Sequence, residues 1–371
     1  VVWLNSAYMG PLPLATQAAS LRAIAARAVP DAIRAPDFFE PADRARALCA
    51  SLIGADAERI ALVPTTASGI AIAARHLAPR RGQTIVLPGG LFPSNVHAWR
   101  KFERHGVEII TIAKPTSAGA GAIPAGRLWN QRLIDAIDAR CAVVAIEPAH
   151  WADGTRFDLA GIGRKARSVG AALVVDATQC VGAMPLDVAD FEPDFLVAHA
   201  YKSMLSHYGL GFAFLGPRFD TAEPLEESWL LREGAEDFAS LTAYREAYAP
   251  GMRRFDSSIR ANGVLIESLI ASSGLLQQWG PARIEARCRS ISSAFVEQVR
   301  AIGYSVADEN DRAAHLFGLA APPGTDLEAL RLKLAAARIF VSIRGVSLRV
   351  SSHVYNDVGD FDRLFDALAG R

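Results

Sequence analysis

Ala198-His199-Ala200-Tyr201-Lys202-Ser203-Met204-Leu205, followed by Tyr208-Gly209-Leu210-Gly211-Phe212, is the stretch on which the reading of this chain turns. Lys202 comes soon after the apolar run Phe195-Leu196-Val197-Ala198 and before a second one, Gly211-Phe212-Ala213-Phe214-Leu215-Gly216. Each run predicts a buried strand, with a glycine-broken turn between them. A lysine held there is costly when charged. Burial lowers its pKa and leaves a nucleophilic amine. The same spacing also accommodates a solvated lysine in a strand-to-strand turn, since most lysines are exposed.

The upstream sequence supplies a partner. Ala171-Ala172-Leu173-Val174-Val175 predicts a fully buried strand that ends in Asp176-Ala177-Thr178-Gln179. Open α/β sheets place their chemistry at the carboxyl ends of such strands. An aspartate that stays ionised there can hold a pyridinium N–H. That is the partner a pyridoxal phosphate ring needs as an electron sink. Between Asp176 and Lys202 there is room for one turn, one connection and one more strand.

Asp176-x-x-Gln179, Tyr201-Lys202 and the Tyr208-Gly-x-Gly-Phe212 tail resemble the class V aminotransferase family of pyridoxal phosphate enzymes. That family includes kynureninases, isopenicillin N epimerase-like proteins, cysteine desulfurases and serine-type aminotransferases. The resemblance runs over nearly the whole chain. It implies an α/β chain with the type I fold of pyridoxal phosphate-dependent transferases. A large cofactor-binding domain with a mainly parallel seven-stranded sheet is expected over residues 14–262. A small α+β domain is expected from residues 1–13 and 263–371, with a linking helix. It also implies a homodimer with sites completed across the interface.

Composition is consistent with this. The chain has 371 residues and 51% hydrophobic content, enough for one large core and a smaller one. Lys+Arg and Asp+Glu both number 39, so nothing favours nucleic acid or an anionic membrane. Cys49, Cys141, Cys180 and Cys288 are scattered, which suggests neither disulfides nor a metal site. No apolar run is long enough to span a bilayer and no signal peptide is visible, so a cytoplasmic setting is expected.

Short apolar runs around Val63, Val86, Ile110, Val144, Val174, Val197 and Phe214 alternate with helical patterns, as in a doubly covered parallel sheet. Thr65-Thr66-Ala67-Ser68-Gly69 comes after the first run and opens a helix. Its free N–H groups suit a phosphate, though on the residues alone simple N-capping is the favoured account of the hydroxyls. The resemblance assigns phosphate contacts to Thr66, Ala67 and Ser68. In Leu91-Phe92-Pro93-Ser94-Asn95 it puts Phe92 on the face of the cofactor ring and Asn95 nearby. A core role for Phe92 is the alternative, and kynureninases carry aspartate where Asn95 stands. Lys114–Gly126, rich in small residues, predicts a surface loop. Trp151 and Asp153, in the loop after the Cys141–Ile146 strand, receive a site role by resemblance. Asp153-Gly154 reads equally well as a turn. The segment Asn5–Pro13 resembles one that crosses the mouth of the active site.

By the same resemblance Gln179 lies against the ring hydroxyl, Tyr201 offers its hydroxyl to the phosphate, and His199 replaces a phosphate-binding serine. Arg349, in Ser347-Leu348-Arg349-Val350-Ser351, matches the arginine that clamps the substrate α-carboxylate bidentately. The implied reaction uses Lys202 as the residue joined to the cofactor as an aldimine and then as the general base at Cα. Asp176 keeps the pyridinium protonated. The preferred reaction is transamination of an amino acid, with C–S or C–C cleavage or epimerisation as alternatives. A persulfide-forming desulfurase is disfavoured because no cysteine lies near Arg349. A catalytically silent binding module of the same fold is the non-enzyme alternative.

Overall fold

The computed structural model describes residues 1–116 and 123–370. Gly119 and Gly121, central to the loop expected over 114–126, lie outside the described residues. The strands are β1 Val2–Trp3, β2 Ile60–Val63, β3 Thr84–Pro88, β4 Glu108–Ile112, β5 Cys141–Ile146, β6 Ala172–Asp176, β7 Phe195–His199, β8 Gly211–Leu215, β9 Leu316–Ala320, β10 Ile339–Phe340, β11 Ser342–Arg344 and β12 Ser347–Ser351. The helices are α1 Leu14–Ala26, α2 Glu40–Ser51, α3 Thr66–Leu77, α4 Ser94–Arg100, α5 Ala125–Ala136, α6 Leu159–Ser168, α7 Val188–Phe191, α8 Gly263–Trp279, α9 Pro281–Ala301, α10 Leu327–Ala336 and α11 Val358–Ala369.

Seven strands form one sheet in the order β2-β8-β7-β6-β5-β3-β4. All its pairings are parallel except those of β8, which runs against both β7 and β2. Every apolar run expected to be a strand is one. Strand residues alternate between two cores, as the two-residue period requires. Val144, Ile146, Leu173, Val175, Leu196 and Phe212 face one side, with residues from α2, α5, α6 and α8. Val143, Ala145, Val174, Phe195, Val197 and Ala213 face the other, with Ile70 and Ala73 of α3 and Trp99 of α4. Truncating one of the fully buried aromatics, such as Phe212, costs about 3–5 kcal/mol.

A second, three-stranded antiparallel sheet has the order β11-β12-β9. Phe317, Leu348 and Val350 pack there on Phe295 of α9 and on Phe361 and Leu364 of α11. The chain start joins this unit. β1 pairs with β10, and Val2 and Leu4 enter its core. We propose the division 14–262 against 1–13 with 263–371. The changeover in packing comes later than that boundary. Ile266, Leu269 and Leu276 of α8 and Cys288 of α9 pack with the large sheet, and Ile291 begins the smaller core. Residues 217–249 carry short 3-10 turns and an isolated antiparallel bridge between Arg232 and Tyr248, and Trp229 packs edge-on there against Phe39 and Phe238.

Candidate active site

The carboxyl ends of β2, β3, β5, β6 and β7 open onto one cavity of about 220 Å³. Thr66, Ala67, Phe92, Trp151, Asp176, Gln179, His199, Tyr201 and Lys202 line it, joined by Thr65, Ser94, Glu147, Thr178 and Tyr208. Parallel strands all end on the same side, so residues more than a hundred positions apart meet there.

Lys202 sits in the turn between β7 and β8. It is 6% exposed, and its Nζ lies 5.1 Å from the Phe92 ring centroid and 5.3 Å from that of Tyr201. Burial lowers its pKa to about 8, against the pull of the Asp176 charge, and Arg349 adds to the lowering. Asp176 is buried and accepts the Thr178 N–H at 3.1 Å. Burial raises its carboxyl above the usual range, while Thr178 and the Lys202 charge pull it back. Among the described residues neither Lys202 nor Asp176 forms an ion pair at salt-bridge distance.

Gly10 is part of the same construction. A Cβ there would lie 2.1 Å from the Lys202 carbonyl oxygen, so only glycine lets the chain start approach this closely. Gly10 N–H donates to the Tyr201 carbonyl at 3.0 Å, and Gln179 Nε2 donates to the Ala7 carbonyl at 3.2 Å. The segment expected to cross the site therefore lies against Gln179, Tyr201 and Lys202.

At the other end of the cavity, Thr65 caps α3 by accepting the Ser68 N–H at 3.0 Å. The first-turn N–H groups of Thr66 and Ala67 have no intrahelical acceptor and point the positive end of α3 outward. Thr66 Oγ1 shares a 2.8 Å hydrogen bond with Thr178 Oγ1. His199 packs its ring against Tyr201 and Tyr208, with centroids 4.6 Å from each, and the two tyrosine rings lie 4.5 Å apart. Its Nε2 accepts the Gly209 N–H at 3.1 Å, so the neutral ring carries its proton on Nδ1. Burial lowers its pKa to about 4, with Lys202 adding to the effect. Burial also raises the Tyr201 phenol to about 12.

Three expected residues stand elsewhere. Ser68 does not line the cavity; its Oγ pairs with Thr65 Oγ1 at 3.0 Å, so it belongs to the cap. Asn95 is fully buried, and its Oδ1 accepts the Trp99 indole N–H one helical turn on, at 3.0 Å. The phase of α4 turns Ser94, not Asn95, toward the cavity. Asp153 is a turn residue, bonding Thr155 N at 3.0 Å, His150 Nδ1 at 3.2 Å and Lys114 Nζ at 2.7 Å. Gly154 beside it has φ +74°, and a Cβ there would meet the Leu316 carbonyl at 1.9 Å.

Arg349 lies just behind Trp151. It is 1% exposed, with Nη1 donating to the Trp151 carbonyl at 3.1 Å and Nη2 to Ser342 Oγ at 3.4 Å. Its Nε has no partner and no carboxylate pairs with it among the described residues. Burial lowers its pKa to about 9, helped by the Arg344 charge. Phe92 and Trp151 meet edge to face at 5.3 Å.

Glu147 is a site residue that motif reasoning missed. It comes directly after β5, as Asp176 ends β6, so the strand-end rule could have found it. Its Oε1 accepts the Trp151 N–H at 2.9 Å. Burial raises its carboxyl to about 8, despite the opposing pull of His150.

The aminotransferase class-V family model matches residues 26–364. The chain belongs to the class V aminotransferase family. Family members use pyridoxal 5'-phosphate, and this class V chain is accordingly an enzyme of that cofactor, which sets aside the silent-module alternative. It is 23% identical to an uncharacterized aminotransferase, YcbU, of Bacillus subtilis over 90% of this chain and 85% of the relative. It is 24% identical to isopenicillin N epimerase of Amycolatopsis lactamdurans over 87% and 83%. In fold it matches the cystine C–S lyase C-DES in complex with its product cysteine persulfide. The TM-score is 0.86 at 18% identity, over 99% of this chain and 97% of that one.

The residues present fit the cofactor. The buried Asp176 carboxylate lacks the cation that a ring N–H would supply. The Lys202 amine is set for a carbonyl, and the open end of α3 is set for a phosphate. All four cysteines of this class V enzyme are buried, and none lines the cavity. No helix among the described residues is long and apolar enough to cross a membrane.

Proposed function

We propose that this class V enzyme is an aminotransferase acting on an amino acid, with Lys202 as its catalytic residue. The observation that carries the reading is the buried, unpaired Lys202 amine, held 5.1 Å from Phe92 in one cavity with Asp176. Bound pyridoxal phosphate supplies an electron sink that acidifies the Cα–H of an attached amino acid. Lys202 would hold the cofactor covalently, and its Nζ would carry the Cα proton. Asp176 would hold the proton of the ring nitrogen. Thr66 and Ala67 would receive the phosphate on their N–H groups, with the Tyr201 hydroxyl and His199 Nδ1–H as further donors. Phe92 and Gln179 would hold the ring, and Arg349 would orient the substrate carboxylate with Trp151 beside it. Ser68 supports the phosphate end as a cap. Asn95 holds Trp99 and does not reach the substrate.

With no thiol at the cavity, a desulfurase that carries persulfide on its own cysteine is not supported. A C–S or C–C lyase, or an epimerase, on the same residues is the second reading, favoured by the likeness to isopenicillin N epimerase. A homodimer and a cytoplasmic setting complete the proposal.

The test tracks the cofactor's visible band in the purified holoprotein while single amino acids are added. A transaminase converts the band stably to that of the amine form of the cofactor and releases a keto acid. Persistence of the band with release of ammonia, sulfide or a cleaved fragment makes it a lyase. Inverted substrate makes it an epimerase. No band at all in the presence of added cofactor refutes the role of Lys202.

A further inference from the structure

Two guanidinium groups converge on one side chain of the cavity. Arg344 ends β11 and Arg349 lies in β12. The pairings Ser342↔Arg349 and Arg344↔Ser347 put both arginines on one face of the hairpin, diagonal to each other. Their Cζ atoms lie 5.3 Å and 5.8 Å from the Trp151 ring centroid. Trp151 in turn lines the cavity with Lys202.

Neither arginine meets a carboxylate among the described residues. Arg344 donates Nη1 to the neighbouring Ile343 carbonyl at 2.7 Å, and its Nε is buried without a partner. Arg349 Nε is likewise buried without a partner. Two partly desolvated cations on one indole repel each other, and both arginines disfavour the charged form of Lys202. One monovalent carboxylate offsets one of them. A dianion offsets both. The two carboxyls at the cavity do not oppose such a ligand. Asp176 stands at the end of β6, and burial favours the neutral form of Glu147.

We propose that the site selects an amino acid bearing a second acidic group, with the α-carboxylate on Arg349 and the side-chain acid on Arg344. This rests on the assignment of Arg349 as the α-carboxylate clamp. Arg344 is then the residue that separates acidic from neutral substrates.

The experiment titrates the holoprotein with unreactive acids, read by calorimetry and by the shift of the cofactor band. Succinate and glutarate are compared with butanoate and pentanoate, which match them in chain length. The diacids are expected to bind on the order of tenfold more tightly, the worth of one charge-assisted hydrogen bond. Arg344→Gln is expected to collapse that ratio toward one by weakening diacids selectively. Arg349→Lys is expected to weaken both classes. In turnover, the same ratio is expected in kcat/KM for acidic over neutral amino acids of equal length. Equal binding of diacids and monoacids by the natural protein overturns the proposal. So does a ratio that survives Arg344→Gln. Loss of the dimer in Arg344→Gln, with no diacid preference beforehand, overturns it in favour of a partner-subunit carboxylate on Arg344. Failure to load the cofactor refutes the reaction instead, and the diacid titration without cofactor still decides the selectivity.

Discussion

One group of buried cations lies beside β2, and another lies at the cavity. Beside β2, Arg46 is 1% exposed and bonds Asp256 through Nη1 at 3.1 Å and Nη2 at 2.8 Å. Arg260 adds a 3.1 Å bond to the same carboxylate, which also accepts the Leu62 N–H at 2.7 Å. Burial works against the Arg46 charge, yet Asp256 and Asp43 outweigh it and its pKa rises. Lys202 in the cavity and Arg349 behind Trp151 are also buried but have no carboxylate in contact among the described residues, and their pKa values fall to about 8 and about 9. Removing two charges from water costs several kcal/mol each unless geometry and partners restore it. The first group has a carboxylate of the chain, Asp256, in contact with both guanidinium groups and serves the fold. The second meets no carboxylate among the described residues, which suits it to an anionic ligand.

Substitutions in the two groups should therefore fail differently. The largest expected effect is at Lys202. Lys202→Met should lower kcat by about 10⁴-fold or more, since it removes the covalent anchor and the proton carrier together. The apoprotein's thermal midpoint should stay level or rise, because an unpaired amine has left the interior. A fall of several degrees would mean that Lys202 is structural. Asp256→Ala should do the reverse. It strands two arginines and should cost about 3–5 kcal/mol in denaturant unfolding, with KM of the folded fraction nearly unchanged. Arg349→Lys should raise KM for the amino acid by about 10²-fold through loss of bidentate geometry, with circular dichroism and cofactor uptake retained.

Smaller effects come with pH. The neutral amine of Lys202 is the reactive form. Cofactor uptake by the apoprotein should therefore quicken about tenfold per unit as pH rises toward about 8, then level off. A lysine whose folded pKa is lowered binds fewer protons folded than unfolded between about 8 and 10.5. Apoprotein stability should thus gain from Lys202 as pH rises through that window, a slope that Lys202→Met removes. Glu147 has the opposite sign. Its folded pKa of about 8 exceeds its ordinary 4.5, so it costs stability as pH rises between those values. Glu147→Gln should match the natural protein in urea unfolding at pH 4 and exceed it at pH 9. Equal stability at both would place Glu147 in a solvated position.

Much of the site was legible as single residues. Asp176, Lys202 and Phe92 each stand at or just after the end of an apolar run, and a parallel sheet brings such ends together on one side. Glu147 obeys the same rule, yet a lone glutamate before a proline carries no motif that marks it. Ser68 and Asn95 were misplaced because motif position does not give helix phase. In α3 the third residue turns back to the cap, and in α4 the second turns to the core.

The sequence by itself determined the alternation of short buried runs and helices, hence a doubly covered, mainly parallel sheet, because a two-residue apolar period and unbroken apolar runs are properties of the chain alone. It also determined that the lysine and the aspartate stand at strand ends. Only the tertiary structure decided which charges lack partners. Whether an arginine is held by an acid depends on which element folds against it, as with Asp256 reaching Arg46 across 210 positions. Among the described residues no such element reaches Arg349, and the chain start, through Gly10, closes on Lys202 without bringing it a countercharge.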